Sequence, residues 1–145
     1  MSDEVLGGPY LQVAALRENV IEDRHGVLSL IRVVDRFTIT TAGPDAPEKM
    51  PPTPISGYMV LAFKSGFAKG SHTIKIRPRT PDQQNLPELT VPIHLEGDDR
   101  GSNIVMPLRM VLEQEGLYWF DVYVNDSLIT RMPLRLIYQR LSVRP

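Results

Sequence analysis

Gly116-Leu117-Tyr118-Trp119-Phe120-Asp121-Val122-Tyr123-Val124, then Asn125-Asp126, then Ser127-Leu128-Ile129-Thr130-Arg131-Met132-Pro133-Leu134-Arg135-Leu136-Ile137-Tyr138, is the stretch that decides the fold. Two runs rich in aromatic and β-branched residues flank a two-residue polar turn, the local recipe for a β-hairpin. In the first run Tyr118, Phe120, Val122 and Val124 share one face, while Leu117, Trp119, Asp121 and Tyr123 share the other. In the second, Met132, Leu134, Leu136 and Tyr138 alternate with Arg131, Pro133, Arg135 and Ile137. A period of two is what an antiparallel sheet with one buried face requires.

Upstream, the same period recurs between turn signals. Residues 10–17 predict a strand, although Ala-Ala-Leu-Arg-Glu is also a good helix former and a helix over 12–23 is the competing reading. Residues 18–26 read as a hairpin connection closed by Gly26. Residues 27–40 form the longest extended run, with hydrophobic side chains on both faces. Such a strand is expected to bend or carry a bulge, so that its halves serve different surroundings. Residues 42–54, with Pro44, Pro47, Pro51, Pro52 and Pro54, predict an irregular loop. Strands follow at 58–64 and 72–79, with a glycine turn at 65–71 between them. After a polar loop over 78–87, residues 88–95 contain Pro92, which predicts an edge strand. A charged turn at 96–102 leads into a strand at 103–112. About eight short strands and no helix outline a two-sheet sandwich.

The 145 residues fit one domain, 1–145, with flexible tails at 1–8 and 141–145. The absence of cysteine excludes disulfides, thiolate metal sites and a cysteine nucleophile, and fits a reducing, cytoplasmic setting. Met1-Ser2-Asp3-Glu4 lacks the basic and apolar segments of a secretory signal. No apolar run reaches the ~18 residues of a spanning helix. Sixteen basic and 17 acidic side chains leave a net charge of −1, which argues against general affinity for nucleic acid or membranes. A protein partner or self-association is the expected mode of action.

No catalytic constellation is legible. His25, His72 and His94 have no metal-ligand spacing, and no nucleophile elbow or phosphate loop occurs. The chain is therefore expected not to be an enzyme, with no catalytic residue and no cofactor. Glu96-Gly97-Asp98-Asp99 is the one cluster of hard oxygen ligands. A calcium site at Asp98 and Asp99, assisting carbohydrate or small-ligand binding through end loops, is the alternative function. A salt bridge from Arg100 to one of these aspartates is the simpler reading. Glu22 and Asp23 could join that cluster only if the topology brought them there.

Arg32, Arg36, Arg109, Arg131 and Arg135 fall within strands rather than loops. A cross-strand ladder with Asp35, Asp121 or Glu113 is their ordinary explanation. Arginine forks also suit carboxylates of a partner. Trp119 and Tyr123 lie opposite the core face and form an aromatic pair that wants partial cover at an interface. Trp119, Tyr123, Arg131 and Arg135 are thus the candidate partner-binding residues.

The Gly116-Leu-Tyr118-Trp-Phe120-Asp-Val122 run resembles the penultimate strand of immunoglobulin-like sandwiches. That resemblance implies an all-β, immunoglobulin-like antiparallel β-sandwich of seven to nine strands, with Tyr118 as a corner tyrosine and Phe120 and Val122 in the core. The disulfide cysteines and core tryptophan of antibody domains are absent. Tyr10-Leu-Gln-Val-Ala, Gly26-Val-Leu-Ser-Leu-Ile-Arg-Val-Val-Asp-Arg-Phe, Phe63-Lys-Ser-Gly, Gly97-Asp-Asp-Arg-Gly, and Arg131-Met-Pro-Leu-Arg beside the Gly116 run resemble a family of small uncharacterised bacterial proteins over residues 9–138. The resemblance implies a bacterial cytosolic β protein and assigns no chemistry. The expected function is a non-catalytic, structural or protein-interaction module.

Overall fold

The structure is a computed structural model that describes residues 7–22, 24–25 and 27–141. Seven strands follow in order: β1 (Tyr10–Glu22), β2 (Leu28–Val33), β3 (Arg36–Ala42), β4 (Thr53–Arg79), β5 (Leu89–Leu112), β6 (Gly116–Val124) and β7 (Ser127–Leu141). They form one continuous sheet, ordered β2-β1-β4-β6-β7-β3, with β5 paired to β4. The count meets the lower bound expected from the sequence, and 10–22 is strand rather than helix.

Two long strands make this sheet into two layers. The first half of β4 lies between β1 and the second half of β5, with Ala15 opposite Val60 and Val60 opposite Val105. The second half lies between β6 and the first half of β5, with Ile76 opposite Val122 and Leu89. Register breaks fall between Lys64 and Lys69, where β4 bends from one layer to the other. The expected turns at 65–71 and 96–102 are therefore bends within continuous strands. Glycine and charge signal a break in extended conformation, but a bulge satisfies that signal without ending the strand. Gly66 (φ 61°) and Gly97 (φ 95°) supply the left-handed backbone, and at Gly66 a Cβ would lie 2.6 Å from the Tyr10 ring.

The expected single run over 27–40 divides at Val34 and Asp35. β2 pairs with β1 in the first layer, while β3 pairs with β7 in the second. The Val34 N–H donates to the Leu16 carbonyl at 2.8 Å, and the Arg135 N–H donates to the Asp35 carbonyl at 2.9 Å. Two consecutive residues thus stitch the layers together. β3 runs parallel to β7, so the sandwich is not wholly antiparallel, contrary to the expectation from the sequence.

Alternation fills the interior. Met59, Leu61 and Phe63 from β4's first half, Ile74 and Ile76 from its second, and Phe120, Val122, Leu134 and Leu136 from the hairpin form one buried cluster. Full burial of each such side chain contributes about 1.5–3 kcal/mol. Exposed ion pairs contribute about 0–1 kcal/mol each, so the interlayer core sets the fold. At the hairpin tip Asn125 (φ 46°) and Asp126 (φ 73°) both adopt positive φ, as a type I′ turn needs. Pro92 lies on β5, which among the described residues pairs only with β4, so residues 89–95 form an edge as the sequence predicts. β7 extends to Leu141, inside the expected C-terminal tail; residues 1–6 and 142–145 of the expected tails lie outside the described residues.

Candidate functional site

The partner-binding residues predicted from sequence, Trp119, Tyr123, Arg131 and Arg135, lie on the outer face of the second layer. Its side chains come from alternate positions: Lys75, Arg77 and Arg79 on β4, Leu117, Trp119, Asp121 and Tyr123 on β6, and Arg131, Pro133 and Arg135 on β7. Register sets Arg77 beside Asp121 and Asp121 beside Arg131; it sets Arg79 beside Trp119 and Trp119 beside Pro133.

Asp121 organises the face. The residue is only 4% exposed. Its Oδ1 accepts from Arg79 Nη2 at 3.1 Å and lies 3.3 Å from Arg131 Nε. Arg79 Nε sits 3.0 Å from Oδ2 but off the hydrogen-bonding angle. One buried carboxylate therefore faces two guanidinium groups. The sequence offers Asp121 as one of three possible acidic partners for its strand arginines, Arg131 among them; Arg79, at the end of β4, is the partner it does not reveal. The Arg77 guanidinium covers the Tyr123 ring, 4.5 Å from its centroid, and also pairs with Glu88. That pairing holds the Arg77 guanidinium above its ordinary pKa. Lys75 Nζ donates to Asp126 Oδ1 at 2.8 Å, which holds the Asp126 carboxyl below the ordinary carboxylate range. Tyr123 is thus half-buried under a cation, and Trp119 is half-buried between Arg79 and Pro133.

Arg131 and Arg135 separate in role. Arg131 serves Asp121. Arg135 is exposed, and its guanidinium has no hydrogen-bond or ion-pair partner among the described residues. Across the β3–β7 ladder it lies directly opposite Arg36. Arg36 has a distant ion pair with its neighbour Asp35, at 3.8 Å. Like charges directly opposite destabilise a sheet. The Arg32 side chain lies outside the described residues.

Asp98 and Asp99 are exposed on the β5 bend, with Asp98 at φ 57°. Arg100 Nη1 donates to Glu96 Oε2 at 2.7 Å, not to either aspartate as the sequence suggested. Among the described residues no group of three or more His, Cys, Asp or Glu side chains assembles for a metal. Asp23 lies outside the described residues, as does the Glu22 side chain. Both ring nitrogens of His72 are engaged, Nδ1 with Asn125 at 2.6 Å and Nε2 with the Lys69 carbonyl at 3.2 Å.

Sequence reasoning missed Arg17. It is 1% exposed, and its three guanidinium nitrogens have no hydrogen-bond partner among the described residues. Desolvation pushes its pKa down. Its position after inward-facing Leu16 marks it as outward, and no local signal reveals that this outer surface is covered.

A corner tyrosine is also present. The Tyr118 hydroxyl donates to the Gln114 carbonyl at 2.5 Å, four residues upstream at the start of the penultimate strand. One sheet bent into two layers, strands that pass from one layer to the other, and this corner define an immunoglobulin-like β-sandwich. The chain belongs to a family of unknown function, DUF6941, which it matches over residues 12–137. Among solved structures it is similar to an immunoglobulin-like protein from Pseudomonas aeruginosa, at 14% identity. That match covers 90% of this chain and 98% of the other, with a TM-score of 0.46. No curated protein matches the sequence. Among the described residues no helix is long and apolar enough to cross a membrane.

Proposed function

We propose that this chain is a non-catalytic interaction module of the bacterial cytosol that binds an acidic protein segment through the outer face of β6, β7 and β3. The observation that carries the reading is the Arg36–Arg135 register pair beside half-buried Trp119. Two arginines in direct register repel in the free chain, and a carboxylate of a partner removes that repulsion while accepting paired hydrogen bonds. Trp119 and Pro133 supply a rigid apolar contact next to the charge, the composition of interface anchors. Arg131, held by Asp121, adds positive potential without being released for direct contact. Trp119 and Arg135 are the binding residues, and Tyr123 and Arg131 support the face. A second copy of the chain, presenting its own acidic bend at Glu96–Asp99, is one partner with the required charge.

The test is association of purified chain with its partner or with itself, by sizing and capture, for wild type, Trp119→Ala and Arg135→Glu. Both variants are expected to fold and to lose association. Wild-type association in both contradicts the reading.

A further inference from the structure

We infer that the free edge of β5 is a second site, independent of the hairpin face, that takes a small amphiphilic carboxylate. A cleft of about 320 Å³ runs along residues 106–111 of β5 and faces the chain segment that precedes β5. That volume lies in the range of small-molecule sites, ~300–1,000 Å³. Its apolar lining includes Leu86, Leu89, Met106, Met110 and Val111. Both methionines pack against the interlayer core, so a chain in the cleft would continue that core. Unbranched thioethers adapt to an inserted apolar body. Val111 is 64% exposed, an unusual position for a large apolar side chain beside an open cleft.

The polar end of the ligand follows from the prolines. Proline has no N–H, yet Pro54 stands opposite Val111 and Pro107 opposite Tyr58. Both are therefore non-hydrogen-bonded pairs of the β4–β5 ladder, and so is the pair between them, Ser56 with Arg109. The backbone groups of residues 107, 109 and 111 accordingly point away from β4, toward an edge with no strand beyond it among the described residues. The N–H groups of Arg109 and Val111 are left as donors. The Arg109 guanidinium has no ion-pair or hydrogen-bond partner among the described residues, and Arg109 lines both this cleft and a neighbouring one with Ser56 and Tyr58. An anionic head on Arg109 with an apolar body over the methionines fits charge and surface together. Pairing by an added strand fits less well, because Pro107 removes a donor from the middle of the ladder.

The probes are hexanoate, octanoate and decanoate, titrated into the full chain by calorimetry below their aggregation concentrations, with octanol and octylamine as head-group controls. Binding is expected to tighten about fourfold per methylene until the cleft is filled. Octanoate is expected to bind about tenfold tighter than octanol, and octylamine weakest. Arg109→Gln should bring octanoate down to the level of octanol. Val111→Asp, at an exposed position, should weaken both with unchanged circular dichroism. Absence of octanoate binding overturns the proposal, as does an octanoate preference that survives Arg109→Gln. An apolar tetrapeptide that binds this edge where octanoate does not also overturns it.

Discussion

The hydroxyl of Tyr118 donates to the carbonyl of Gln114 at 2.5 Å, closing the corner where the chain enters β6. The same corner is tied from the other side, because Gln114 Nε2 donates to Asp82 Oδ1 at 3.0 Å and Thr80 donates to the same carboxylate. Tyr118 is 2% exposed and its ring is part of the core. Tyr118→Phe keeps the ring and removes only the corner bond. We expect a loss of about 1–2 kcal/mol in urea unfolding. An unchanged midpoint would show that the corner does not stabilise the fold.

Asp121 and Arg131 contribute unequally although they form one pair. The carboxylate side chain is 6% exposed and the guanidinium side chain 52%. Asp121→Asn leaves Arg79 and Arg131 facing each other across a covered site, and is expected to destabilise by about 2–4 kcal/mol. Arg131→Gln leaves Asp121 with Arg79 and is expected to change stability by less than about 1 kcal/mol. Equal losses in the two variants contradict this asymmetry.

Arg17 runs the other way. A guanidinium on a residue that is 1% exposed, without a hydrogen-bond partner among the described residues, opposes folding by its desolvation. Arg17→Met keeps the length and removes the charge. Stability is expected to rise by about 1–3 kcal/mol, read by chemical denaturation. A fall would mean that the charge is compensated.

Acid sensitivity follows from two carboxylates. Asp126 is held below its ordinary pKa by its hydrogen bond from Lys75, and Asp82 by its bonds from Thr80 and then Gln114. A carboxyl whose folded pKa lies below its unfolded value contributes stability above the unfolded value, about 3.9, and loses it as pH falls through the folded one. Stability should therefore decline below about pH 4. Asp126→Asn should flatten that decline, and added salt should weaken it because both groups are exposed. An acid limb identical in Asp126→Asn contradicts the assignment.

Most of the fold was legible because burial in a sandwich imposes a period of two, and the hairpin from Gly116 to Tyr138 follows it except at one register shift between Val122 and Tyr123. The Asn125-Asp126 turn and the Tyr118 corner were legible for local reasons, namely positive φ and a short-range hydrogen bond. What was hidden depends on distant strands. Nothing near Gly66 or Gly97 distinguishes a bend from a turn, since the same residues permit both. The parallel pairing of Arg36 with Arg135, and the hop at Val34 and Asp35, arise from the positions of Leu16 and β7. The candidate face was legible as a set of residues. Their division of labour was not, because the second partner of Asp121, Arg79, arrives on the distant strand β4.

The proposed face also predicts that one residue trades stability for binding. Arg135→Glu replaces like charges opposite Arg36 with an ion pair. We expect a stability gain of about 0.2–1 kcal/mol together with loss of association. A stability loss would contradict the repulsion on which the proposed binding depends.

Trp119 is the single tryptophan of the chain, so its fluorescence reports on the face directly. The most direct test is iodide and acrylamide quenching of Trp119 in the free chain and in the fully associated state, with an acidic protein partner or with a second copy at raised concentration. The account predicts a blue-shifted emission and a clear drop in quenching on association, both lost in Arg135→Glu. Emission and quenching unchanged in a demonstrably associated state would place the interface elsewhere.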